Sequence, residues 1–324
     1  MTFDVRPPTP GDAGYGSDPA GLIWGFQFDP VLASASVGSP LVPPARPIDS
    51  VHARQWLSAH AEDEPPGFLW LHFNLANNAT EHWLRAHADL PDAFFETLRG
   101  GLNSTRVERV EQALLAVVND VQFDFSFEPS DTATLWICLN RRLLITGRRK
   151  PLRSLDQLRV AVREGVRDGE RVRSPADLMA QLLRHQADVL VDLVRQATSQ
   201  VDDVEDRLLA GRLNHKRARL GAIRRLLVRL QRLLLPEPAA LFRLLQHPPL
   251  WMVDRDLQDL RDATEEFSVV LRDMVALQER VKLLQEEVAA QINEQTNRSL
   301  FVLTIVTVLA LPINIIAGLL GMNV

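Results

Sequence analysis

The chain has 324 residues, a formal net charge of −5 and a single cysteine, Cys138. That length accommodates a globular domain, a long helical region and a membrane anchor. The mildly acidic balance speaks against a nucleic-acid binder, and one cysteine excludes a disulfide framework or a multi-cysteine zinc site.

Met1 to Pro19 is rich in Pro, Gly and Asp and carries no apolar stretch of the kind that directs export, so the first ~20 residues are expected to be disordered and the bulk of the chain cytosolic. Leu41 to Pro47 reads as a loop. Phe68 to Phe73 follows a Pro65-Pro66-Gly67 turn and reads as a strand, as does Gln112 to Val121. Thr134 to Cys138 and Leu143 to Thr146 flank Asn140-Arg141-Arg142 as a hairpin does. Between these strands, Asn78 to His87 and Pro91 to Arg99 carry helical patterning, with Asn78 and Asp89 as expected caps. Strands followed by helices point to an α+β head.

From about Leu152 onward the pattern is almost wholly helical. Ser174-Pro175 gives a cap and a proline at the first helical position, for a helix running to about Leu209. A basic helix follows, in which Arg217, Arg219, Arg224, Arg225, Arg229 and Arg232 alternate with leucines up to Pro236. After Pro248-Pro249, apolar or small positions from Val253 through Leu260, Phe267, Met274 and Val281 to Val288 alternate spacings of four and three, a heptad seam. Without proline or glycine before Pro312, the helix continues into an uncharged stretch, and Val253 to Leu311 spans roughly 90 Å at 1.5 Å per residue. Such a helix needs partner helices. Its outer positions are acidic, among them Asp254, Asp256, Asp259, Asp262, Glu265, Glu266, Asp273, Glu286 and Glu287, and are expected to complement the arginine-rich helix.

Leu300 to Leu320 carries no charge over about the length that crosses a bilayer. Asn297, Leu300, Leu303, Thr307, Leu311, Asn314 and Gly318 recur every three or four residues along it, on one face. Polar groups in hydrocarbon face other helices or water. Composition alone leaves helix packing and a pore equally open.

Gly321-Met322-Asn323, placed at the end of a span containing Leu311-Pro312 and fed by a long acidic heptad helix, resembles the signature of the CorA metal-ion transporter family. Phe68 to Asn74, Trp83-Leu84, Trp251 and the Asn323-Val324 ending resemble its ZntB zinc branch. The resemblance implies an α/β/α cytosolic head, a stalk helix continuous with a transmembrane helix, and a funnel-shaped homopentamer in the inner membrane of a bacterial-type cell. On that pattern the chain divides into a tail over 1–20, a head over 21–170, a helical part over 171–249, a stalk over 250–299 and a first span over 300–324. The family's second span is expected beyond the given sequence. Asn323 is expected to ring the outer mouth and to accept hydrogen bonds from a hydrated cation. Asn314 would add a polar ring, Leu300, Leu303 and Leu311 apolar constrictions, and Asn297 the cytosolic mouth. Asp262 falls where a regulatory metal ligand would lie. The expected cargo is Zn2+, with Mg2+ or Co2+ as the alternative. No tightly bound cofactor, enzymatic activity or nucleic-acid partner is expected.

The eight histidines, His52, His60, His72, His82, His87, His185, His215 and His247, show no close ligand spacing and read as surface or packing residues. A tail-anchored coiled-coil scaffold shares the topology but leaves the polar stripe unexplained.

Overall fold

The computed structural model describes residues 16–29, 45–60, 67–100, 105–123, 131–164, 172–209 and 217–321. Met322 and Asn323, and most of the N-terminal tail, lie outside them. From Asp18 the chain is already structured: its carboxylate accepts from the amides of Ala20 and Leu22 at 2.9 Å each. Gly21 (φ 86°) follows, where a Cβ would meet the Thr80 hydroxyl at 1.9 Å, so only glycine fits.

The head is a seven-stranded sheet in the order β2-β1-β3-β7-β6-β5-β4. The strands are β1 (Leu22–Phe28), β2 (Arg46–Ile48), β3 (Phe68–Asn74), β4 (Arg106–Val110), β5 (Ala113–Val121), β6 (Thr132–Leu139) and β7 (Leu143–Arg148). All neighbours are antiparallel except β3 and β7. One face is covered by α1 (Ser50–Ala59), α2 (Asn78–His87) and α3 (Asp92–Arg99), whose Leu57, Leu84 and Phe94 meet Leu69, Leu71, Phe73 and Trp136. The other face meets α4 (Arg153–Glu164), the start of α5 (Pro175–Leu209) and α7 (Pro236–Gln246), through Phe26, Trp70, Leu114 and Ile137. Because β3 and β5 are buried on both faces, they read as mostly apolar runs, broken by His72 in β3 and by Asn119-Asp120 in β5, rather than as alternating ones. Each fully buried Leu or Phe contributes about 1.5–3 kcal/mol.

The head is thus the three-layer α/β/α unit that the resemblance implied, with helices between the strands in chain order. Part of the expected Leu41–Pro47 loop is the edge strand β2. The α2 cap is Asn77, whose side chain accepts from the amide of Ala79, and α3 starts after Pro91 without a side-chain cap, so neither Asn78 nor Asp89 caps. Ser174 does cap α5, its hydroxyl accepting from the Asp177 amide at 3.0 Å.

Below the head, α5, α6 (Arg217–Leu234) and α8 (Asp254–Gly321) form a three-helix stalk. Leu193, Val201, Leu226 and Leu230 pack against Phe267, Met274, Val281 and Val288 of the heptad seam. The seam is therefore buried by helices of its own chain rather than by other subunits. Helix α5 runs parallel to α8: Arg173, just before α5, meets Asp259, and Asp202 near its end meets Arg280 at 2.8 Å. Helix α6 returns antiparallel, with Arg224 bonded to Gln285 at 3.1 Å and Leu233 reaching Thr105 of the head. The expected charge pairing between α6 arginines and α8 acids is absent among the described residues.

Candidate permeation surface

One helix, α8, passes through three environments along its 68 residues. Asp254 and Asp256 lie in its first turn, where carboxylates favour the positive end of the helix dipole, and the Ser174 hydroxyl donates to Asp256 at 2.7 Å. Leu260 and Ala263 pack into the head core, and Phe267 to Val288 into the stalk core. Beyond that, the helix leaves the protein body. From Leu300 to Ile316 every large apolar side chain is exposed, Leu303 by 62% and Leu311 by 59%. A run of bare apolar side chains this long is not tolerated by water, and its 21 uncharged residues span about 32 Å, the depth of a bilayer's hydrocarbon.

The seven expected face residues, Asn297, Leu300, Leu303, Thr307, Leu311, Asn314 and Gly318, all lie on this exposed reach and fall within an arc of about 120° at 100° per residue. Thr304 falls inside the same arc. Sequence reading passed over it, although its spacing of seven from Asn297 and Leu311 is the signal that places it. The Thr304 and Thr307 hydroxyls donate to the carbonyls of Leu300 and Leu303 at 2.8 Å. Their hydrogens are satisfied inside the helix, and oxygen lone pairs remain for a hydrated ion. Pro312 lies inside the helix and offers no N–H to the Val308 carbonyl one turn back. At Gly318 and Gly321 an added Cβ would meet nothing within 4 Å, so the chain's own packing does not require glycine there. Met322 and Asn323 lie outside the described residues.

Asp262 is exposed on the stalk and accepts from Gln258 at 2.7 Å. Among the described residues no group of three or more His, Cys, Asp or Glu could hold a metal ion. His72 is a packing histidine: Arg148 Nε donates to its Nε2 at 2.9 Å, its Nδ1 lies 2.9 Å from the Thr146 hydroxyl, and its ring stacks on Trp24. Burial and the neighbouring Arg148 hold it well below the usual histidine range.

Sequence reading missed a buried carboxyl cluster where head meets stalk. Glu237, at the start of α7, accepts from the Asn119 amide at 2.7 Å and lies 3.4 Å from the Gln186 amide nitrogen. Asp120 beside it accepts from Ser154 and from the Val121 amide. Burial pushes both carboxyls up, Asp120 to about 6.

A folded head, a stalk and a charge-free rod with one polar stripe are the build of a membrane-inserted transport protein. The family model described as CorA-like Mg2+ transporter protein matches residues 66–324. The divalent cation transporter CmaX of Pseudomonas aeruginosa is 26% identical over 262 residues, 80% of this chain and 78% of that protein. The zinc transport protein ZntB of Pectobacterium atrosepticum is 24% identical over 254 residues, 78% of this chain and 76% of that protein. The solved structure of full-length CmaX superposes with a TM-score of 0.77 at 23% identity, covering 95% of this chain and 89% of that one. The CorA magnesium transporter of Methanocaldococcus jannaschii gives 0.69 at 18% identity, covering 93% and 87%. The chain belongs to the CorA-like Mg2+ transporter family. Its function class is divalent-cation transport, and it is not an enzyme. The scaffold alternative is set aside.

Proposed function

We propose that the protein is one subunit of a homopentameric inner-membrane pore that carries zinc, with its head in the cytosol and the α8 stripe lining the path. The observation that carries this reading is the stripe itself: the polar side chains of a wholly exposed apolar rod gather on one arc instead of scattering around it. Five such arcs facing one axis give polar rings at Asn297, Thr304, Thr307 and Asn314, separated by apolar constrictions at Leu300, Leu303 and Leu311 that gate by excluding water. Asn323, in Gly321-Met322-Asn323, forms the outer ring and takes the ion with its water shell intact. Gly318 keeps that end of the path wide. Asp262 serves regulation only if a neighbouring copy supplies further ligands, since among the described residues it belongs to no group of three or more possible metal ligands.

Zinc is favoured by the likeness to ZntB, whereas the family's own description supports magnesium as the second reading. Flux of Zn2+ and Mg2+ into proteoliposomes, for the full-length protein and Asn323→Ala, tests both. Zinc flux that the variant abolishes or makes unselective is the expected result. Magnesium flux with little zinc overturns the zinc assignment, and no flux of either ion overturns the pore.

A further inference from the structure

Helix α6 turns an arginine ridge outward. Arg225, Arg229 and Arg232 are exposed and, among the described residues, meet no carboxylate, while Arg224 and Arg219 bond only glutamines. Val228 and Leu235, 42% and 50% exposed, sit on the same ridge. Its spacing of three and four residues makes it one continuous face.

Helix α8 presents the opposite charge on a different flank. Glu266, Asp273, Glu287 and Glu294 recur with Arg280 at intervals of seven, and all four are exposed and, among the described residues, without an ion pair. Arg280 is bonded to Asp202 and Glu205 of α5, so this flank borders α5, whereas Gln285 faces α6. Exposed Val269 and Leu283 lie beside it. The heights agree. With Arg224 opposite Gln285 and the two helices antiparallel, Arg225 to Arg232 stands level with about residues 277–284 of α8, between Asp273 and Glu287.

We propose that the α6 ridge docks on the acidic flank of α8 in a neighbouring copy of this chain. The two patches are level but lie on opposite sides of one stalk, so they cannot meet within a chain. A two-fold dimer of stalks standing in one membrane cannot join both at once. Side-by-side docking does, and repeating it closes a ring with α8 innermost. An anionic bilayer does not fit the ridge: even Arg225, its near end, level with about residue 284, stands about 24 Å along the helix from Leu300, and charges are screened within about 8 Å at physiological salt. The inference deepens the assembly reading above and names the surfaces that make it.

Charge reversal with rescue tests it. The triple variant R225E/R229E/R232E, with helical content checked by circular dichroism, is expected to raise the concentration for half-dissociation about tenfold or more in native mass spectrometry. E266R/D273R/E287R is expected to do the same, and the combined six-fold variant to reassemble. If the triple variants do not fold, the milder R229E and D273R, alone and together, carry the same comparison. Assembly unaffected by the α6 reversal, or no rescue in the combined variant, overturns the proposal. So does a ridge whose reversal abolishes binding to phosphatidylserine vesicles and leaves stoichiometry unchanged. A charge-rescued ring that passes neither zinc nor magnesium supports this docking surface and contradicts the transport reading.

Discussion

Asp120 and Glu237 are buried carboxyls with no ion pair among the described residues. For Asp120, whose carboxyl rises from 3.8 to about 6, the folded protein keeps a proton that the unfolded chain has released between those values. Stability therefore falls as pH rises through that window, by about 3 kcal/mol in all, and Glu237 acts in the same direction. Asp120→Asn keeps an acceptor for the Val121 amide but removes the titration. Its Tm relative to wild type is expected to rise by several degrees between pH 4 and pH 7, read by differential scanning fluorimetry, and a constant difference would refute this. On the span, Asn314 is exposed and meets no side-chain partner among the described residues. Asn314→Leu should leave Tm unchanged while lowering cation flux at least about tenfold, as the loss of a polar ring implies. The stripe was legible in the sequence because spacing alone fixes a helical face. The carboxyl cluster was not, because Asn119-Asp120, Gln186 and Glu237 are distant in sequence and only the fold brings them together.

At the scale of elements, the stalk depends on α8 side chains that α5 and α6 bury. Phe267 is fully buried there, and Phe267→Ala is expected to cost about 3–5 kcal/mol through the cavity it leaves, measured as a lowered urea midpoint. Leu283→Ala, on the exposed face, should cost a single chain almost nothing. Helix α8 was readable from its heptads, and β3 and β5 from their apolar runs. Other elements gave weaker signals. Strand β1 carries Gly25 in its interior, β2 contains Pro47, and the edge strand β4 reads Arg-Val-Glu-Arg-Val, so none shows a clean alternation. Helix α1 mixes His52, Arg54 and Gln55 into a short amphipathic stretch. The pairing of α6 with α8 was misjudged for a different reason: periodicity assigns charges to faces but does not say which face turns toward which neighbour.

At the scale of the whole molecule, the chain couples an α/β/α head to a helix whose apolar side chains lie bare, and in the function proposed above a bilayer and further copies of the chain cover them. The resemblance at Gly321-Met322-Asn323 gave the family, and the match over residues 66–324 bears it out. The central claim is that the arc from Asn297 to Gly318 faces an aqueous path, and the single native cysteine makes it directly testable. Cys138 is buried and its thiol is pushed up to about 12, so it contributes little background to thiol labelling. Single cysteines placed along α8 in the full-length protein, reconstituted in liposomes, would be labelled with a small charged methanethiosulfonate. The account predicts rapid labelling at positions 303, 304, 307, 311, 314 and 318, slowed by Zn2+, and little at 302, 306, 309 and 313. Labelling spread evenly around the helix, or confined to that second set, would contradict it.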